Sequence, residues 1–458
     1  MAFNHKEQMA KRLREKNASN YDTLEIHGLL HGPEGVGRLK GRAVFVPKTV
    51  PGDVIKVDIV EKKKSFWRGE IINILEPSKD RREAPCHIFG RCGACQWLHI
   101  DYACQLREKE KAVTDAMTRI GKIEPQELLP TIASPEKYNY RRRAKVRCRM
   151  IAPGVMAVGF KARRSFRVIS HDKCWIYNAT ILKAIQKVGK FLPRHFIGSN
   201  FLFYATCDDS EQKNVVSLQI SVQKADSVDF FKIAFDKVAE HMPLRWEVFC
   251  EENRETTSSE ILPEMKYSIP AVDGKERLIK VAPFSFFQSN VPANYKMVET
   301  VIKFAGLTGT ETVADLYSGA GNFTVALAPK VKKIISVELD GPATAFAKIN
   351  TEEFGDKVEI IESDVEPQID QWIADEVKID TIIIDPPREG CRDVVAKLSK
   401  LKAKKIVFCS CEPSTLARDV ATLAEEGYKL KRLQVIDLFP QTYHVEAVAE
   451  LILEEKTL

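Results

Sequence analysis

The C-terminal part of the chain is written in an alternation that few architectures can accommodate. Five short apolar, β-branched runs, at residues 312–317, 333–338, 358–361, 381–385 and 405–409, are separated by stretches compatible with helices. Runs that are apolar along their whole length form strands buried on both faces, and a strand that returns after a helix lies parallel to the one before it. Residues 281–458 are therefore expected to fold as a doubly wound, parallel α/β sheet.

In a chain of 458 residues such a sheet leaves room for further domains, since soluble domains usually span about 100–200 residues. Residues 1–20 are polar, charged and without period, and read as a flexible arm. Between 21 and 78, runs at 24–29, 42–46, 53–60 and 66–74 alternate like strands and are broken by His31-Gly32-Pro33-Glu34-Gly35 and Val50-Pro51-Gly52-Asp53. Four or five short strands in about 55 residues suit a small closed barrel of the OB type. A linker at 77–82 leads into a central region, 79–280. There, residues 101–123 carry Leu106, Val113, Met117 and Ile120 at helical spacing, which predicts an amphipathic helix able to pack on the C-terminal domain. Residues 140–269 read as strand-rich.

Charge is distributed unevenly. Residues 1–200 hold 39 Lys+Arg against 20 Asp+Glu, whereas the remainder holds 30 against 43, so a formal charge of +6 conceals a strongly basic half. Such a half suits a polyanion, with a merely solvated basic surface as the alternative. Lys62, Lys63, Lys64, Phe66, Trp67 and Arg68 combine cations with stacking surface, as single-stranded nucleic acid prefers. If 143–150 is a strand, alternation puts Arg143, Lys145, Arg147 and Arg149 on one face, either tracking phosphates or simply solvated. Hydrophobic residues make up 44% of the chain, which excludes a disordered class. No apolar run reaches the ~18–20 residues of a membrane span, and the N-terminus lacks the apolar core of a signal peptide, so a soluble cytoplasmic protein is expected.

The chemistry-bearing residues collect where the C-terminal strands end. The first run leads into Asp315-Leu316-Tyr317-Ser318-Gly319-Ala320-Gly321-Asn322-Phe323, a strand-to-helix turn whose glycines let a ligand approach the backbone. Glu338 ends the second run, 23 residues after Asp315, near the interval at which a carboxylate takes a ribose diol. A dinucleotide fingerprint would need a third glycine. Asp364 follows the third run, either to accept from an adenine amino group or as a plain helix cap. The fourth run enters Asp385-Pro386-Pro387-Arg388. After the fifth, Cys409 continues the apolar pattern, while Cys411 lies beyond it beside a helix start, where a thiolate is expected below its free pKa of about 8.5. Glu446 opens a final strand, or is an ordinary surface carboxylate there.

Of eleven cysteines, Cys104, Cys148, Cys207, Cys250, Cys391 and Cys409 sit among apolar neighbours and read as core. Cys86-x5-Cys92-x2-Cys95, with Cys174 far downstream, offers four thiolates to an iron–sulfur cluster or zinc, unless they too are core residues.

Phe286-Phe287-Gln288-Ser289-Asn290, the Ser318–Phe323 stretch, Asp385-Pro386-Pro387-Arg388, Ser410-Cys411 through Asp419, and Phe439-Pro440 through Glu446 follow one another in an order that resembles the RNA uracil-5-methyltransferase family (RumA/TrmA class). The resemblance spans nearly the whole chain and is strongest to the 23S ribosomal RNA branch with its TRAM barrel. It departs at Glu412, where the family usually has Asn. It implies a Rossmann-like, S-adenosylmethionine-dependent transferase at 281–458, a TRAM barrel at 21–78, and a central domain at 79–280 holding a [4Fe–4S] cluster on Cys86, Cys92, Cys95 and Cys174. It further implies Cys411 as nucleophile, Glu446 as general base, and Gln288, Tyr317, Asn322, Glu338, Asp364 and Asp385 as cofactor-binding residues. The partner would be RNA, specifically 23S rRNA, and the enzyme a monomer. Alternatives are a tRNA uracil-5 enzyme, an RNA cytosine-5 enzyme using Cys391, and a non-catalytic iron–sulfur RNA-binding protein.

Overall fold

The computed structural model describes residues 21–29, 32–162, 168–170, 173–208, 214–259 and 264–454. The arm read at 1–20 lies outside them. Contacts divide the chain into two compact units. One runs to Ala112 and takes in Phe439–His444; the other runs from Val113 through the C-terminal strand apart from that insertion. The division falls inside a helix, Tyr102–Ala116. The reason is packing: Val113, Ala116 and Met117 belong to the same buried cluster as Ala314, Phe408 and Ala417.

In the first unit, β1 (Asp22–Leu29), β2 (Glu34–Leu39), β3 (Arg42–Pro47), β4 (Val54–Lys62) and β5 (Phe66–Glu76) close a barrel in the order β1-β2-β3-β5-β4. Every pair is antiparallel except β3 with β5. Leu24, Ile26, Val44, Val46, Ile55 and Val57 fill it. β2, with its glycines Gly35 and Gly37, was hidden in the sequence behind the turn read at His31–Gly35. Both glycines are demanded by close approach: a Cβ on Gly35 would lie 2.2 Å from Thr49 Oγ1, and one on Gly37 2.3 Å from the Glu25 carbonyl. The segment Phe439–His444 is held by this unit. Trp97 N–H donates to the Gln441 carbonyl at 3.0 Å, Gln441 N–H to Gln105 Oε1 at 2.9 Å, and Lys109 Nζ to the Phe439 carbonyl at 3.0 Å.

In the second unit, the helix expected at 101–123 continues past Ala116 as a π turn, Met117–Gly121. Val113 and Met117 are buried as expected, but the wider turn carries Ile120 out to 51% exposure. β6 (Glu127–Ile132) follows. A seven-stranded sheet comprises β7 (Arg143–Ala152), β8 (Val155–Lys161), β9 (Val168–Ser170), β10 (Asn200–Asp208), β11 (Val215–Val222), β12 (Leu244–Cys250) and β13 (Thr256–Ser258). Two helices, Ala179–Phe191 and Asp226–Ala239, lie between its strands and were not legible against the strand-rich background. A hairpin of β14 (Met265–Pro270) and β15 (Glu276–Val281) leads into the C-terminal sheet.

That sheet carries β16 (Thr312–Leu316), β17 (Lys333–Glu338), β18 (Val358–Glu362), β19 (Thr381–Ile384), β20 (Lys405–Ser410), β21 (Tyr428–Ile436) and β22 (Glu446–Leu453). Its order is β18-β17-β16-β19-β20-β22-β21-β6. The first five are parallel, β22 is antiparallel to β20, and helices alternate between them. The doubly wound fold expected from the apolar runs is present, with strand ends within a residue of the reading. All six cysteines assigned to the core are buried. Among the described residues no helix is long and apolar enough to cross a membrane.

Phe408 is fully buried at the centre of this sheet. Phe408→Ala should cost about 3–5 kcal/mol through lost burial and a residual cavity, read as a drop in the urea unfolding midpoint. A cost below about 1 kcal/mol would show that the sheet is not the stability core.

Candidate active site

The chain leaves β16 for β17 and β18 on one side and later returns to β19 on the other, so the loops after β16 and β19 diverge. In open α/β sheets ligands bind in that crevice, outside the carboxyl ends of the strands. Tyr317 and Gly319 both adopt left-handed backbone, with φ of 60° and 57°. A Cβ on Gly319 would meet nothing within 4 Å, so the turn faces open space. Ser318 Oγ is buried without a hydrogen-bond partner, and Leu339 is 66% exposed. An orphaned hydroxyl, an open turn and an apolar side chain at one sheet edge form a cradle that fits a nucleoside-bearing cofactor.

Glu338 fixes the cradle. Its Oε2 accepts from Gly319 N–H at 2.9 Å, and its Oε1 accepts from the N–H groups of Leu339 and Asp340 at 2.8 Å each. A carboxylate has about four acceptor positions, so roughly one remains for a ligand unless Gly319 yields. Asp364 caps the helix Val365–Ala374, its Oδ1 3.4 Å from Glu366 N. The plain-cap role is therefore present, and the side chain is exposed at the end of β18. Asn322 exchanges amide hydrogen bonds with Asn294 at 2.9 and 3.1 Å and accepts from Tyr267 Oη at 3.3 Å. These contacts pin the helix start to β14 and the helix Val291–Ala305; the partner Asn294 carried no sequence signal.

The Phe286–Asn290 motif divides its labour. Phe287 is buried and stacks on Tyr267 with centroids 6.0 Å apart. Asn290 caps Val291–Ala305 and donates to the Leu438 carbonyl at 2.9 Å and to Ser134 Oγ at 3.0 Å. Gln288 is half-buried and Phe286 is 66% exposed.

The second cluster is built by register. β20 pairs Ser410 with Ala447 on β22, and Phe408 with Ile384 on β19. Continuing both ladders sets Cys411 opposite Glu446, with Asp385 one strand over. Glu446 is 4% exposed. Burial, then repulsion from Asp385, holds its carboxyl well above the ordinary range, with Arg388 opposing. Burial likewise raises Asp385. Behind them Asp315, buried and accepting from Thr324 Oγ1, is raised to about 7, chiefly by burial.

Cys411 differs from expectation. Burial, then repulsion from Glu446, pushes its thiol up to about 12, while Arg388, a hydrogen-bond donor to the sulfur, pulls it down. The helix Pro413–Glu425 begins two residues later, and its terminus does not offset two carboxylates. Arg388 was visible in the sequence only as part of a turn; that its guanidinium reaches the thiol was not. Cys409 is fully buried and held protonated. Cys391 is buried, its N–H donates to Asp419 Oδ2 at 3.1 Å, and burial raises its thiol as it does that of Cys411.

Cys86, Cys92 and Cys95 are half-buried in the first unit, and Cys174 is buried in the second. Among the described residues no group of three or more His, Cys, Asp or Glu side chains that could hold a metal ion is found.

Removing the charge opposite Cys411 should lower its pKa. Glu446→Gln should alkylate at Cys411 several-fold faster than the unmutated protein at pH 8, followed by peptide mapping after iodoacetamide. An equal or slower rate would mean that Glu446 does not face the thiol.

Comparison with known proteins supplies the rest. A family model described as tRNA (Uracil-5-)-methyltransferase matches residues 265–455. An uncharacterized RNA methyltransferase of Halalkalibacterium halodurans is 32% identical, the match covering 97% of this chain and 100% of the relative. One of Clostridium tetani is 31% identical over 96% and 98%. The crystal structure of Pyrococcus abyssi tRNA (uracil-54, C5)-methyltransferase in complex with S-adenosyl-L-homocysteine has a TM-score of 0.66 at 24% identity, covering 94% of this chain and 100% of that one.

Proposed function

The chain belongs to the RNA uracil-5-methyltransferase family, and from this premise we propose that it converts a uridine of 23S ribosomal RNA to 5-methyluridine. The observation that carries the chemistry is the meeting of Cys411, Glu446, Asp385 and Arg388 at three adjacent strand ends. The ribosomal target rests on the resemblance of the sequence to the 23S ribosomal RNA branch. We further propose a cytoplasmic monomer with the barrel at 21–78, a central module at 79–280 and the transferase at 281–458.

Uracil C5 is a weak nucleophile until something adds at C6. Cys411 gives its proton to Asp385, its thiolate Sγ forms that bond, and the C5=C6 electron pair moves toward C4=O, leaving C5 enolate-like. When bound, S-adenosylmethionine supplies the electrophilic methyl that C5 takes. Tyr317, Ser318, Glu338 and Gln288 would hold it in the cradle, with Asp385 beside the reacting end, Asp364 near the adenine and Asn322 bracing the turn. Glu446 then accepts the C5 proton, the C5=C6 bond re-forms, and the Sγ–C6 bond breaks. A carboxylate of raised pKa suits that step. Arg388 stabilises the thiolate on entry and on departure.

We also propose that Cys86, Cys92, Cys95 and Cys174 bind a [4Fe–4S] cluster, on the strength of their spacing. Methyl transfer needs no electron, so no step runs through it. Anaerobically purified protein should be brown with about four irons per chain; colourless protein with stoichiometric zinc would transfer the site to zinc.

Cys411→Ala should abolish turnover. Glu446→Gln should add to C6 and transfer methyl, then stall, because an amide cannot take the C5 proton. The expected product is a denaturant-resistant protein–RNA adduct with one methyl by mass spectrometry, absent from the double mutant. Full turnover by Glu446→Gln would move the base elsewhere. Mapping 5-methyluridine in rRNA and tRNA of a deletion strain tests the target: loss confined to tRNA overturns the ribosomal assignment.

A further inference from the structure

The seven-stranded sheet is covered by helices on one face. Phe203 and Trp246 meet the helix Asp226–Ala239, with centroids 6.3 Å from Phe231 and 5.5 Å from Phe235 respectively, and Trp246 Nε1 donates to Asp236 at 3.1 Å. Ala144, Val146, Cys148 and Met150 of β7 are buried on that side. Alternation turns Arg143, Lys145, Arg147 and Arg149 to the other face, where Lys145 and Arg149 are exposed and Arg143 and Arg147 half-buried.

Cross-strand register completes this second face. Lys145 pairs with Tyr204, Arg147 with Leu202, and Tyr204 with Gln219. Lys145 Nζ lies 4.6 Å from the centre of the half-buried Tyr204 ring. At one end the Arg143 guanidinium sits 5.4 Å from the centre of the exposed Phe286 ring, two residues before Gln288. The row of cations thus runs from the edge of the candidate active site outward along β7, with a cation about every 6.7 Å.

We propose that this open face binds an unpaired RNA strand flanking the target uridine, its phosphates tracked by Lys145, Arg147 and Arg149 and one base stacked on Tyr204. The proposal rests on the RNA-methyltransferase reading above. Four cations in line match a polyanion in charge, and an aromatic ring among them is what unpaired bases use. A duplex keeps its base faces stacked and offers Tyr204 nothing. An acidic peptide would match the charge without using the ring.

The test uses the full chain and a fluorescein-labelled single-stranded RNA of about twelve nucleotides, with a hairpin duplex of the same composition alongside. Binding is followed by anisotropy through a salt titration. Lys145→Ala/Arg147→Ala/Arg149→Ala should weaken single-strand binding at least tenfold and make the slope of log K against log salt shallower by about 2, at roughly 0.7 per single-strand phosphate contact. Tyr204→Leu should cost at least about fivefold with the slope unchanged. Melting temperatures check that both variants fold. Unchanged affinity and slope in the triple variant, or an equal loss for the duplex, overturns the proposal. Competition by oligoaspartate as effective as by RNA assigns the face to an acidic protein instead. If the unmutated protein binds the strand through this face yet methylates no RNA, the functional reading fails and the surface stands. If methylation proceeds while the triple variant binds normally, the reverse holds.

Discussion

The chemistry of this protein depends on β20 having a fixed register with both neighbours. β20 is hydrogen-bonded to β19 on one side and β22 on the other, and its last residue Ser410 faces Ala447. That pairing sets the thiol of Cys411, the carboxyl of Glu446 and the Asp385 turn at one place. A slip of one residue on either side would turn the corresponding side chain to the opposite face of the sheet. The apolar strands β16, β19 and β20 and the helices that cover both their faces guard against such a slip, since it would exchange the side chains packed on the two faces. Ile382, Ile383, Ile384, Val407 and Phe408 are fully buried for this reason. The active site inherits its geometry from a hydrophobic constraint.

The same burial works against the charges it positions. Asp315, Asp385 and Glu446 all have carboxyls raised above their usual range, with burial the largest cause in each. A raised carboxyl binds its proton more tightly in the folded chain than in the unfolded one. Its contribution to stability is therefore fully present below the unfolded pKa, near 4, and is lost as pH rises through the folded value, about 7 for Asp315. Around neutral pH these groups oppose folding, and the apolar sheet offsets them. Such local conflict is usual at functional sites.

The sequence carried the sheet because both of its signals are local. Apolar runs and the helix-compatible gaps between them mark strands wherever both faces are buried, and the acidic or glycine residues that end those runs mark the ligand edge. Less was legible where a residue's role is set by something distant. Gly35 looked like the end of a turn, and only Thr49, packed against it across the barrel, shows why a glycine stands there in a strand. Ile120 looked buried until the π turn displaced it. Asn322 stands in a legible motif, but its partner Asn294, on another helix, carried no signal. The helices Ala179–Phe191 and Asp226–Ala239 were lost among strands whose composition they share. Cys411 was read from its neighbouring helix start, while the groups that govern it, Glu446 and Arg388, lie 35 and 23 residues away.

A thiol at about 12 sets the energetic problem the site has to solve. At neutral pH the thiolate of such a group is scarcely populated if its proton must go to water. Released instead to Asp385, which leaves Glu446 free for the C5 proton, it leaves the number of buried negative charges unchanged: a carboxylate becomes an acid as a thiol becomes a thiolate. The burial that raises the thiol also raises its acceptor, so much of the desolvation cost cancels in an internal transfer and the difference between the two groups is what remains. Arg388, which pulls both Cys411 and Glu446 toward their charged forms, is the cation beside either anion. Thiolate formation is thereby tied to the carboxylates across the strand instead of to bulk pH, and the residue that receives a proton from carbon late in the reaction already stands next to the one that must lose a proton at its start.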